Sequence, residues 1–132
     1  MRESMSRILI IDDEEQIRSM LSAALERAGY TVVEAINGKD GLRKYREAPA
    51  DLVITDIIMP DQEGLETIKT LRKEYPQAKI FTISGADEVL KINVLDIAQR
   101  LGSLRSFKKP FDLNQVVDAV REVVPLKPTS PA

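Results

Sequence analysis

The chain has no cysteine and no histidine. Without cysteine, disulfides, zinc–thiolate centres and iron–sulfur clusters are excluded. Without histidine, the commonest general base and the commonest transition-metal ligand are missing, and a phosphohistidine carrier role is ruled out. Long apolar runs are lacking too. The longest, Ile8 to Ile11, covers four residues, against the ~20 needed to span a bilayer. No basic start followed by an apolar stretch resembles a signal peptide. Nor is there an excess of positive charge: 19 Lys and Arg against 21 Asp and Glu give a net charge of −2, which leaves no basic footprint for nucleic acid. What is present is a chain of 132 residues, 43% apolar and 30% charged. That mixture suits one soluble domain with a proper core. A domain of a reducing, cytoplasmic compartment is expected, with no direct nucleic-acid or membrane partner. Its chemistry must rest on carboxylates, hydroxyls and lysines.

Short apolar runs alternate with amphipathic stretches. The runs are Arg7–Ile11, Thr31–Ile36, Asp51–Thr55, Lys79–Ser84 and Leu104–Lys108. The first, third and fourth carry apolar residues at consecutive positions, as strands do inside a parallel sheet covered by helices on both faces. The other two alternate and read as sheet edges. Between the runs the period is helical. Ile17, Met20, Leu21, Ala24, Leu25 and Ala28 form one stripe, which Gly29 stops. Gly38 to Glu47 makes a shorter second helix. Leu65, Ile68 and Leu71 mark a third, ended by Pro76. Leu113, Val116, Val117, Val120 and Val124 mark the last, with Asp112 as its N-cap. This order predicts an α/β fold with a doubly wound, five-stranded parallel sheet, flavodoxin-like, in strand order 2-1-3-4-5. The domain is expected over residues 6–124, with 1–5 as an N-terminal extension and the proline-containing 125–132 as a tail or linker.

In open α/β sheets ligands gather at the carboxyl ends of the strands, where the strand order reverses. The first strand ends in Asp12-Asp13, the third in Asp56, the fourth in Ser84 and the fifth in Lys109. Each has an ordinary structural reading by itself. Asp12 or Asp13 could cap the first helix, Asp56 could sit in a turn, Ser84-Gly85 is a common strand exit, and Lys109 could be a surface lysine. Glu14 and Glu15 read as partners of the helix dipole. The convergence of all of them on one rim is what points to a site.

Three carboxylates brought together repel. At an effective dielectric of ~20, two like charges 4 Å apart cost about 4 kcal/mol, and one lysine cannot neutralise three acids. Either their pKa values rise or a divalent cation belongs there. An all-oxygen, histidine-free set selects a hard ion, and Mg²⁺ fits because it needs few protein carboxylates. Mg²⁺ plus Lys109 leaves capacity for another anion, and a phosphoryl group is the natural candidate. A carboxylate can accept it as an acyl phosphate. The central Asp56 is assigned as nucleophile, Asp12 and Asp13 as metal ligands, Lys109 as the partner of the phosphoryl oxygens, and Ser84 as a hydrogen-bond donor to them.

These residues resemble the receiver domain of two-component response regulators, in the manner of the chemotaxis regulators. Ile8-Leu9-Ile10-Ile11-Asp12-Asp13-Glu14 is similar to the family's first strand and acid pair. Asp51 to Pro60 resembles the phosphoacceptor strand with its Met59-Pro60, and Gly64 matches the glycine that opens the third helix. Ser84-Gly85-Ala86 and Lys109-Pro110-Phe111 match the hydroxyl and lysine–proline elements. The resemblance spans roughly Ser6 to Val124. It implies phosphoryl transfer to Asp56 from a sensor histidine kinase or phosphotransfer protein, with Mg²⁺ required. It implies metal ligands from Asp13, Asp56 and the backbone carbonyl of Ile58, with Asp12 acting mostly through water. A cis Lys109–Pro110 bond is implied as well, at the low cost proline allows. The family's only chemistry would be its own phosphorylation and dephosphorylation, so the chain is not expected to be a conventional enzyme. Output is expected through the face built by the fourth helix, fifth strand and last helix, toward an unknown protein target, from a monomer or weak dimer.

The sequence departs from the family pattern in places. Three residues before Lys109, where an aromatic is usual, stands Ser106. Phe107 is its neighbour, on the opposite side of the strand. Ile58 is apolar where many members are polar. The Ser84–Lys109 interval is longer by about a helical turn, and in it Leu90, Val94, Ile97, Ala98 and Leu101 share one helical face. Two other classes fit less well. A flavin-binding domain needs a Gly/Ser/Thr-rich phosphate loop where this chain has four acids, Asp12 to Glu15. An aspartyl phosphohydrolase would space its acids two apart on the first strand.

Overall fold

The structure is a computed structural model that describes residues 6–57, 63–85 and 99–126. Its five strands are β1 (Arg7–Ile11), β2 (Thr31–Ala35), β3 (Leu52–Asp56), β4 (Ile80–Ser84) and β5 (Arg105–Lys108). They run parallel in the order β2-β1-β3-β4-β5, as the sequence predicts. Four helices lie among the described residues: α1 (Glu15–Arg27), α2 (Gly38–Glu47), α3 (Glu63–Glu74) and α4 (Leu113–Val123).

The doubly apolar strands do what their pattern requires, because successive side chains point to opposite faces. Ile8, Ile10, Leu52, Ile54, Phe81 and Ile83 pack on one side against Leu21 and Leu25 of α1 and Val116 and Val120 of α4. Leu9, Ile11, Val53 and Ile80 pack on the other against Tyr45 of α2 and Ile68 and Leu71 of α3. Fully buried side chains of this size each contribute about 2 kcal/mol. The two strands expected at the edges are at the edges. Lys44 donates from Nζ to the Glu34 carbonyl of β2 at 2.6 Å, covering part of that open edge.

Boundaries moved where polar residues stand at strand ends. β3 begins and ends one residue later than expected, because Asp51 spends its carboxylate on the Arg7 amide at 2.7 Å. β2 stops at Ala35, and Ile36 is exposed. Met20 is exposed as well, at the rim of the α1 stripe. Neither Asp12 nor Asp13 caps α1. Its N-cap is Glu14, which makes no side-chain cap bond, while Asp12 Oδ1 accepts from the Glu14 amide at 2.8 Å. Asp112 does cap α4, accepting from the Asn114 amide at 2.8 Å. Gly29 stops α1 with φ +107°, a conformation that favours glycine.

Candidate functional site

The strand ends deliver their residues to one rim. The Asp12 amide donates to the Ala35 carbonyl at 3.2 Å, the Ile57 amide to Ile83 at 3.0 Å and the Lys109 amide to Ser84 at 2.8 Å. These bonds carry the sheet ladder into the loops and hold their backbones in place. Gly85 lets Lys109 lie close: a Cβ there would meet the lysine Cδ at 3.1 Å. The Lys109–Pro110 bond is cis.

Asp12, Asp56 and Ser84 are all at most 2% exposed. Lys109 reaches into the acids. Its Nζ lies 3.0 Å from Asp56 Oδ2, 3.3 Å from Asp12 Oδ2 and 2.6 Å from Glu14 Oε1. Carboxylate oxygens of Asp12, Asp13, Glu14 and Asp56 lie within 4.8 Å of one another. Four acids therefore share one hollow with one lysine.

Burial pushes the Asp12 carboxyl up to about 6, against the ordinary 3.8. The Asp56 charge adds to the rise, while the Glu14 amide and Lys109 oppose it. For Lys109, burial alone would favour the neutral amine. Its hydrogen bonds to Glu14 and Asp56, with the charges of Asp56 and Asp12, outweigh burial and push its pKa up. Folded Asp12 holds its proton to higher pH than the unfolded chain does. Stability therefore falls as pH rises from 3.8 through about 6, and the penalty is fully present above that range. A rise of this size corresponds to at most about 3 kcal/mol. We expect Asp12→Asn to stabilise the metal-free protein at neutral pH by about 1–3 kcal/mol, with the gain vanishing near pH 4. Urea unfolding in the presence of a chelator measures both, and destabilisation at both pH values would contradict the assignment.

The donor set suits a hard divalent cation, since all four side chains offer oxygen and none offers nitrogen or sulfur. A second observation agrees. Ser84 Oγ, buried at this rim, has no hydrogen-bond partner among the described residues, and Asp12 Oδ2 makes no contact there closer than the Lys109 ammonium at 3.3 Å. Buried polar atoms left so need a ligand to satisfy them.

Of the residues expected at the site, the structure brings together Asp12, Asp13, Asp56 and Lys109, with Ser84 at the end of the adjoining strand. Ile58 and Met59-Pro60 lie outside the described residues, as do Leu90, Val94, Ile97 and Ala98. Leu101 packs against the α2–α3 side of the core. Glu14 joins the cluster, contrary to its expected role as a mere dipole partner. Phe107 does not stand in for the aromatic absent at position 106. It is buried on the α1–α4 side, its ring centroid 5.7 Å from that of Phe81. Ser106 Oγ instead lies 2.7 Å from Thr82 Oγ1, which in turn lies 3.1 Å from Ser103 Oγ.

The family model of the response regulator receiver domain matches residues 8–121. The chain belongs to this family. The receiver is 37% identical over 118 residues to the chemotaxis protein CheY of Thermotoga maritima, covering 89% of this chain and 96% of that one. It is 31% identical over 121 residues to the sporulation initiation phosphotransferase F of Bacillus subtilis, covering 92% and 95%. Among solved structures, the response regulator TrrA of Thermotoga maritima, in complex with Mg²⁺–BeF, is 32% identical with a TM-score of 0.78, covering 91% of this receiver and 100% of that chain. No helix among the described residues is long and apolar enough to cross a membrane.

Proposed function

We propose that this receiver is a phosphorylation switch whose acceptor is Asp56, and that the domain proper spans residues 6–124. The observation that carries the reading is the contact of Lys109 Nζ with Asp56 Oδ2 at 3.0 Å inside the four-acid hollow. An ammonium so placed compensates the carboxylate before reaction and the phosphoryl oxygens after it.

In the proposed reaction a carboxylate oxygen of Asp56 attacks the phosphorus of a phosphohistidine on a sensor kinase or phosphotransfer protein. The new P–O bond forms as the P–N bond breaks, and the electron pair leaves with the donor imidazole. Asp12, Asp13 and Asp56, with the backbone carbonyl of Ile58, would hold Mg²⁺. When bound, Mg²⁺ neutralises the charge that accumulates on the transferring oxygens. Lys109 keeps its proton throughout, since its neighbours push its pKa up. The Ser84 hydroxyl, which has no partner among the described residues, donates to a phosphoryl oxygen. Hydrolysis of the acyl phosphate resets Asp56, so the chain acts only on itself and is no turnover enzyme. The reading places it in the cytoplasm, as a monomer or weak dimer. It signals to a downstream protein through β5, α4 and the fourth helix expected from the sequence, most of which lies outside the described residues. Mg²⁺–BeF in the TrrA complex, and the phosphotransferase name of the Bacillus relative, support it.

Incubation of the receiver with acetyl phosphate and Mg²⁺ should add one phosphoryl group by intact mass, and chelation should prevent it. Absence of labelling, or labelling indifferent to chelation, would overturn the proposal.

A further inference from the structure

Outside the acid cluster, one charged side chain grips the loop that carries it. Arg18 of α1 donates from a guanidinium nitrogen to the Asp12 carbonyl at 2.8 Å. Its Nε donates to Glu34 Oε1 of β2 at 3.1 Å, and Ser22 Oγ donates to Glu34 Oε2 at 2.8 Å. The Arg18 side chain is only 13% exposed. A cation near the positive N-terminal end of a helix is electrostatically misplaced, so the helix itself gives no reason for it. The acceptors around it do.

We propose that Arg18, held by Glu34, is a positioning residue for the metal-holding loop: it fixes the backbone of Asp12 and thereby sets where the acid pair offers its oxygens. This rests on the metal reading given above. The hydrogen bonds of Asp12 bear it out. Its amide is taken by Ala35 at 3.2 Å, its carbonyl by Arg18, and its Oδ1 by the Glu14 amide at 2.8 Å. Three of its polar groups are thus tied to β2, α1 and the loop. Oδ2 alone is left facing Lys109, at 3.3 Å. Removing Arg18 frees the carbonyl between the two acids, and with it the relative placement of Asp12 and Asp13.

Arginine suits the task because its planar fork donates in two fixed directions at once, one toward a carboxylate and one toward a backbone oxygen. Lysine is a single charge on a flexible stem and cannot serve both acceptors with that geometry. An exposed ion pair would do little. Here the arginine end is 13% exposed and the Glu34 end 40%, and one of the two bonds it makes goes to the site's own backbone. Packing of α1 on the sheet is already supplied by Leu21 and Leu25.

The test uses the full chain with Arg18→Met, Arg18→Lys and Glu34→Gln, and three measurements on each. These are Mg²⁺ affinity by calorimetry, amide exchange at Glu14 relative to Leu9 and Ile10 in metal-free protein, and thermal midpoint. We expect Arg18→Met to weaken Mg²⁺ binding about tenfold, the scale seen when a group that orients a metal ligand is lost. Exchange at Glu14 should rise while exchange in β1 does not. Arg18→Lys should keep the thermal midpoint yet lose most of the Mg²⁺ affinity, a split that a merely structural role cannot produce. Unchanged Mg²⁺ affinity in Arg18→Met, or exchange rising equally across β1 and the loop, would overturn the inference. If Arg18→Met does not fold, Arg18→Lys and Glu34→Gln decide it by the same measures. Should the wild type itself bind no Mg²⁺, the metal reading of the hollow fails, and the exchange pattern alone still decides whether Arg18 fixes the loop.

Discussion

Asp56→Asn is expected to gain no phosphoryl group under conditions that label the wild type to one per chain, with its fold retained. The size of the effect follows from the chemistry, since an amide cannot form an acyl phosphate as a carboxylate does. The other acids do not substitute for it. Asp12 has Oδ1 committed to the Glu14 amide, and burial pushes its carboxyl up to about 6. Asp13 and Glu14 are exposed at the rim. Asp56 stands on the central strand, between the first strand and the one that ends in Ser84. Substitution also removes one of two buried like charges, so the fold has no electrostatic reason to fail. Intact mass with acetyl phosphate, backed by circular dichroism, measures both halves. Labelling that persists in Asp56→Asn, on Asp12 or Asp13, would move the acceptor and sink the assignment.

Lys109→Met should destabilise the metal-free protein by about 3 kcal/mol at neutral pH, the low end for removing one partner from a buried charged group. The low end is appropriate because the lysine side chain is still 17% exposed and its Glu14 contact lies toward solvent. What remains is a methionine beside the Asp12 and Asp56 carboxylates, with no ammonium to offset them. Loss of the cation also raises the Asp12 pKa further above about 6. The sign in pH follows. Asp12 regains its neutral form as pH falls, so the deficit shrinks on acidification and is largest above the range in which Asp12 titrates. Urea midpoints at neutral and acidic pH, with chelator present, test this. A deficit that stays constant across pH would show the lysine acting through packing alone. Added Mg²⁺ should restore much of the lost stability in Lys109→Met, since mass action favours the folded form that binds it. Phosphoryl transfer should not recover in parallel.

How much of this was legible in the sequence differs between core and site. The two-sided apolar runs of β1, β3 and β4 contain their own explanation, because only a sheet covered on both faces buries such strands. The alternation rule also assigned Phe107 to the side opposite Ser106, as found. Four strand ends named the acids, the hydroxyl and the lysine. Glu14 was hidden because an acid in the first turn of a helix already has an adequate local reason to be there. Only the reach of Lys109 across the rim reveals its other contact, 95 positions away in the chain. Arg18 and Glu34 were hidden in the same way. Each looks like a solvated charge until α1 and β2 are placed side by side. The end of β3 was misplaced by one residue because Asp51 reads as the start of a strand, whereas it spends its carboxylate on the chain next to it.

The row of hydroxyls between β4 and β5 has a direction that proton counting fixes. Ser103 gives its hydrogen to the Arg105 carbonyl at 2.8 Å. Thr82 must then supply the hydrogen between itself and Ser103, and having only one, it receives from Ser106. The Ser106 hydrogen is therefore turned toward Thr82, and among the described residues the Ser106 oxygen keeps its remaining lone pairs for another donor. A group that meets this oxygen has to bring the donor itself.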